Sequence, residues 1–165
     1  MVNQVKPIPD RFNSINAYLI VNNAVEAMEF YAKAFGGETV ARMPGPDGQN
    51  TLHAEMQIGD STLMLSDENP DWGTKSPQTL GGTPIVLHLY VEDADAVFNQ
   101  AVAADCEVTQ AIHDAFWGDR YARIIDPFGH AWAICIHKED LTPEEMNKRA
   151  EIAMGQQGDT GEPAQ

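Results

Sequence analysis

The strongest constraint on this chain is that it carries one pattern twice. YLIVNNAVEAM, from Tyr18, lies over HLYVEDADAVF, from His88, with one gap; GGETVARM lies over DCEVTQAI, and STLML over HAWAI. The first match sets Val21 on Val91, a spacing of about seventy residues, and a repeat of that kind decides architecture before any single motif does.

Each copy reads strand, helix, strand, strand, strand. In the first, SINAYLIVNN has strand composition and AVEAMEFYAKAF has helical spacing at Val25, Met28, Phe30, Tyr31 and Phe35. The Gly36–Gly37 pair predicts the helix stop. ETVARM, TLHAEMQIGD and STLMLSD follow as strands, with PGPDGQN as the turn after the first of them. In the second, PIVLHLYVED is a strand. ADAVFNQAVAADC is a helix whose buried stripe is predicted as Ala94, Val97, Ala101 and Val102. EVTQAIHD, RYARIID and HAWAICIH are strands.

The expected fold is therefore α+β: two tandem βαβββ modules whose curved mixed sheets, each covered on one face by its own helix, flank a cleft. The expected boundaries are an N-terminal arm at 1–14, a first module at 15–66, a linker loop at 67–83, a second module at 84–138, a C-terminal helix at 139–155 and a disordered tail at 156–165. Pro7 and Pro9 keep the arm from forming a regular helix. Thr142, Pro143 and Glu145 form the start signal of the last helix, a capping box with proline in the first turn, and Gly155 is its expected stop.

With 43% hydrophobic residues the chain can bury a core, and 25 acidic against 10 basic residues give a net charge of -15. That balance argues against nucleic acid and against an anionic membrane surface as partners. No apolar stretch approaches the ~20 residues of a membrane span. The N-terminus lacks the apolar stretch of a signal peptide, and Cys106 and Cys135 form neither a disulfide framework nor a CxxC pair. A cytoplasmic location is the expectation. No nucleophile elbow, phosphate loop or dinucleotide fingerprint is present.

IVNNAVEAMEFYAKAFGG in the first copy and YVEDADAVF and DPFGHAW in the second resemble the vicinal oxygen chelate superfamily of glyoxalase I, extradiol dioxygenases, and fosfomycin and bleomycin resistance proteins. RMPGPDG, SPQTLGG, LHLYVEDADAVF and GDRYARIIDPFGHAW look more narrowly like its PhnB-like branch. The likeness covers about residues 14–138. It implies a homodimer. In metal-dependent members it implies ligands on the first and last strand of each module, positions that fall here on Asn16, Met64, Val86 and Ala133. Asn16 is at best a weak ligand, and the other three offer nothing to a hard divalent cation. The expectation is a protein that binds a small organic molecule in the cleft with no metal cofactor, as the bleomycin resistance proteins do. The alternative is an enzyme, of lyase, isomerase or dioxygenase type, with a divalent metal ion or an acid–base set relocated to His53, Glu55 and His88.

His88 lies two residues beyond Val86 and so faces the same way, about 7 Å along the strand. It stands open to three readings: a shifted metal ligand, a contact to a small molecule, or a structural histidine. His53 and Glu55 alternate with Ala54 and Met56 and share the other face of their strand, as a site or as a solvated surface. Tyr18 and Tyr90 share faces with Asn16 and His88. Trp117 is a candidate for stacking on a ligand, and Trp72 for a lid. Arg123 could fix a carboxylate or phosphate, or pair with Asp119 or Asp126.

Overall fold

The structure, a computed structural model, describes residues 5–157. Both copies of the repeat form the expected unit. The first has β1 (Tyr18–Val21), α1 (Ala24–Phe35), β2 (Glu38–Pro44), β3 (Thr51–Ile58) and β4 (Ser61–Asp67). The second has β5 (Val86–Tyr90), α3 (Ala94–Ala103), β6 (Glu107–Asp114), β7 (Asp119–Ile125) and β8 (Ala131–His137). The sheets run β1-β4-β3-β2 and β5-β8-β7-β6. In each, the first strand lies parallel to the last and the others are antiparallel. The sheets do not close on one another, so β1 and β5 are open edges.

Local chemistry sets the helix ends. The Asn23 side chain accepts from the Glu26 amide (3.2 Å) and Asp93 from the Ala96 amide (2.9 Å), satisfying donors that a helix start leaves free. Gly36, at φ 68°, takes the left-handed conformation that ends α1. Period-two alternation then divides each sheet. Leu19, Val21, Ala54, Met56, Leu63 and Leu65 turn to α1, and Ile124, Trp132 and Ile134 turn to the α3 side. The two helices pack on each other, so both helix-covered faces share one core. The opposite faces, which carry the candidate site residues, point away from it.

The modules are pinned by a buried carboxylate. Asp126 accepts from the Tyr31 hydroxyl of α1 (2.8 Å), the Trp132 indole (2.9 Å) and the amides of Phe128 and His130 (2.9 Å each). His130 Nε2 also meets the Ile20 carbonyl at 3.0 Å.

Several expectations need correction. Val102 is 39% exposed rather than part of the α3 stripe, and Ala104 takes its place in the core. The linker is not structureless. It holds a 3-10 turn (Pro70–Trp72) and a short helix, α2 (Pro77–Leu80). Glu68 anchors them by accepting from the Ser76 amide and the Thr79 hydroxyl. The C-terminal helix, α4 (Pro143–Gln157), starts on the expected box, with Thr142 N donating to Glu145 (3.0 Å) and Glu145 N to Thr142 (3.3 Å). It does not stop at Gly155, because an exposed glycine lowers helix stability without breaking the backbone ladder. The first two residues of the expected tail are helical, and the remainder lies outside the described residues. Among the described residues no helix is long and apolar enough to cross a membrane.

Candidate functional site

On the outer face of the first sheet, β3 sets His53 and Glu55 beside Tyr18 of β1. The Tyr18 hydroxyl lies 3.3 Å from His53 Nδ1, and His53 Nε2 lies 3.4 Å from Glu55. Arg11 completes the row, donating to Glu55 at 3.0 Å. The N-terminal arm is thus laid across this sheet, with its Arg11 carbonyl accepting from Thr62. Nothing in the local pattern foretold a pair separated by 44 residues. In this row the Tyr18 hydroxyl, the His53 imidazole and the Glu55 carboxylate can exchange a proton, while the permanently charged Arg11 only holds Glu55 in place.

The second sheet presents a different set. His88 on β5, Ala133 on β8 and Arg123 on β7 are in register across three strands, and Tyr90, Cys135 and Tyr121 form the next row. Ala133, Cys135 and Tyr121 are buried as a small apolar floor, with Trp117 packed on it. His88 and Arg123 stand exposed above it. His88 Nδ1 lies 3.9 Å from the Cys135 sulfur, and the two rings His88 and Tyr121 are 6.1 Å apart. Burial pushes the Cys135 thiol up to about 11, so it is no ready nucleophile.

At one end of this face lies a feature the sequence did not suggest. Asp119 is buried and accepts from the Tyr90 hydroxyl (2.9 Å) and the Trp117 indole (3.2 Å), while His137 Nδ1 meets its other oxygen at 2.9 Å. Burial pushes the Asp119 carboxyl up. The bonds from His137, Tyr90 and Trp117 outweigh it, leaving the group below its ordinary value. Bonding to Asp119 and burial push the Tyr90 hydroxyl up to about 12. Trp117 is therefore held in place by its own indole N–H, with its ring edge-on to Tyr121 and Phe116.

Arg123 pairs with neither expected acid. Asp119 is occupied by those three donors, and Asp126 lies on the core side of the sheet. Among the described residues Arg123 has no ion pair or side-chain hydrogen bond.

A cleft does lie between the modules, along the open edge of β5. It has a volume of about 590 Å³ and is lined by Leu87, His88, Leu89, Tyr90 and Trp132 from the second module and by Asn16 and the β3–β4 turn from the first. Tyr18, His53 and Glu55 do not reach it. The relocated set His53, Glu55 and His88 is thus not assembled within one chain: two members share a face and the third sits on the other module. Trp72 is 67% exposed and does not line the cleft, which removes it as a lid.

The positions that would hold a divalent metal do not fit one. The Asn16 amide is spent on the arm, donating to the Asn13 carbonyl (2.6 Å) and accepting from its amide (2.9 Å). Met64 lies opposite Tyr18 and Glu55, Val86 opposite Ala131, and Ala133 opposite His88. None of the last three side chains donates an oxygen or nitrogen. Among the described residues no group of three or more His, Cys, Asp or Glu side chains is placed to bind a metal ion.

Comparison with known proteins places this geometry. The model of the Glyoxalase/Bleomycin resistance protein/Dioxygenase superfamily matches residues 11–134. The chain is 41% identical over 149 residues to the "Uncharacterized protein Mb0911c" of Mycobacterium bovis, covering 88% of this chain and 95% of that protein. Its fold is similar to TioX from Micromonospora sp. ML1 (TM-score 0.61, 24% identity, 76% of this chain and 98% of TioX). It is also similar to a PhnB protein from Bacillus cereus (TM-score 0.58, 18% identity, 75% and 99%).

Proposed function

The chain belongs to the Glyoxalase/Bleomycin resistance protein/Dioxygenase superfamily, and on that premise we propose that it binds a small organic molecule in the cleft between its modules, without the superfamily's divalent metal. The observation that carries this reading is the cleft of about 590 Å³ along β5, with apolar Leu87, Leu89 and Trp132 and the ring of Tyr90 beside the polar imidazole of His88. Size and lining are those of small-molecule sites, which are mostly apolar with a few polar groups to orient the ligand. A thermal-shift screen of small organic molecules tests it. A ligand at a hundred times its Kd adds about 2.7 kcal/mol to stability, and the gain should vanish in His88→Ala, where an exposed side chain is removed. A library without a stabilising compound, or hits indifferent to His88→Ala, would reject the site.

The hydrogen-bonded row Tyr18–His53–Glu55 favours a second reading, an enzyme using His53, Glu55 and His88, with a lyase, isomerase or dioxygenase chemistry on an oxygen-bearing substrate. Within one chain His88 stays apart from the other two, so this reading needs a second copy to bring the faces together. Elemental analysis of protein purified without chelator or affinity-tag metal separates the two: stoichiometric metal that is lost in His88→Ala would overturn the metal-free reading.

A homodimer belongs to the proposal. β1 and β5 are open edges, and Ile15, Ile85 and Tyr90 beside them are 90%, 64% and 58% exposed. Unpaired strands flanked by bare apolar side chains are surfaces that proteins cover. Light scattering should return twice the chain mass, and a monomer mass across micromolar concentrations would reject it. The cytoplasm is the proposed location, a reducing compartment that suits two buried thiols, Cys106 in the helix-side core and Cys135 on the outer face of β8.

A further inference from the structure

Arg123 is the exception among the five arginines. Arg11 is held by Glu55, Arg120 by Asp95 and Asp114, Arg149 by Glu139, and Arg42 by the Thr51 hydroxyl and the Gln49 carbonyl. In a chain with 25 acidic residues, an arginine that meets no carboxylate among the described residues is unusual, because any carboxylate within reach would be drawn to it. Its neighbours share its character. Ala133 alone separates it in register from His88, and strand spacing puts the two backbones about 10 Å apart with only a methyl between. The Tyr121 hydroxyl, in the adjoining row, makes no hydrogen bond among the described residues. Arg123 acts on that hydroxyl electrostatically, opposing the rise that burial causes. Guanidinium, phenol and imidazole are all donors here. Of the carboxylates on this face among the described residues, Asp119 is committed to Tyr90, Trp117 and His137, and Glu107, in register with Ile125 on the neighbouring strand, makes no ion pair with Arg123.

We infer that the ligand carries an oxyanion, a carboxylate or the equivalent phosphorus acid, seated above Ala133 between Arg123 and His88, with its apolar body extending round the β5 edge into the cleft. The inference rests on the binding reading above and adds the ligand's class and Arg123 as the residue that selects it. A guanidinium fork matches two oxygens of one carboxylate, which gives direction as well as charge. His88 faces both the anion position and the cleft, so it joins the two parts of the site.

The test uses three probes of one shape: benzoate, phenylphosphonate and the neutral benzamide. Binding to the full-length protein is followed by amide and side-chain NMR shifts of His88, Tyr121 and Arg123. Benzoate should move these signals and benzamide should not. Arg123→Gln should weaken benzoate about tenfold or more, the loss of one charge-assisted contact, and Arg123→Lys should keep part of the affinity. Phenylphosphonate binding above benzoate assigns the anion to phosphorus chemistry, and the reverse to a carboxylate; both support the inference. If benzamide binds as well as benzoate, or Arg123→Gln leaves benzoate unchanged, the oxyanion inference falls while the binding reading stands. If no probe moves these signals, the inference falls, and the screen in the preceding section judges the binding reading by itself.

Discussion

Asp119 shows how a buried acid can organise a surface. Asp119 is 5% exposed, and its carboxylate ties Tyr90, Trp117 and His137 from three places in the chain. Because its folded pKa is lowered, its contribution to stability is whole above the ordinary carboxylate range and is lost as pH falls through the lowered value. His137 is raised by its bonds to Asp140 and then Asp119, so its contribution is whole below the ordinary imidazole value of about 6.5 and is lost as pH rises through the raised one. The pair is therefore strongest between those limits. Asp119→Asn should cost about 1–3 kcal/mol there and flatten both limbs of a melting-temperature profile against pH. An unchanged profile would show that the cluster is not coupled to folding.

Gly118 is fixed by its surroundings in another way. It sits at φ 98°, and a Cβ there would come 2.6 Å from the Glu139 carbonyl oxygen. The Gly118 carbonyl accepts from the amides of Lys138 and Glu139, holding the end of β8 against the β6–β7 turn. Gly118→Ala should cost about 3 kcal/mol or more, through left-handed strain and the clash together. Chemical denaturation measures it, and a loss under 1 kcal/mol (roughly the ordinary cost of a point change) would mean that the turn moves aside freely.

Among the elements, α4 stands apart. It makes at most marginal contact with the sheets and other helices, and Ile152 and Met154 on it are exposed. Its start depends on the Thr142–Glu145 box and the Arg149–Glu139 ion pair. Thr142→Ala should cost about 1 kcal/mol of local helix stability. Circular dichroism should therefore lose helical signal while the main unfolding transition stays in place. A matching drop in that transition would show α4 to be part of the core. The strands and helices themselves were legible from local pattern, since alternation and capping act over a few residues. The short helix α2 was missed although its Ser76 cap, Pro77 and Gly81 are local signals; one turn has no hydrophobic period to read, and the bond from Gln78 to the Pro127 carbonyl that fixes it on the second module joins segments that meet only after folding.

For the whole molecule the decisive contact is Tyr31 to Asp126, which joins α1 to the second module across 95 residues. Burial, then the Asp126 charge, push the Tyr31 hydroxyl well above its ordinary value, so it stays a donor. Tyr31→Phe should lower global stability by about 1–2 kcal/mol in a single cooperative transition. Separate transitions for the two modules would show that they fold as independent units.

The repeat determined the two modules, and alternation determined which residues of one strand share a face: His53 with Glu55, and His88 with Tyr90. The residue types at Met64, Val86 and Ala133 settled that these positions offer no donors to a hard cation. Only the tertiary structure decided that the modules join through α1 and α3, which turns the two polar faces outward and keeps His53 and Glu55 away from His88. It alone paired Arg11 with Glu55, gathered three donors on Asp119 and left Arg123 without a partner among the described residues. Periodicity is set by bonds between near neighbours and can be read along the chain. Charge pairing and the meeting of faces depend on distances that packing creates, and those distances are not written in any local stretch.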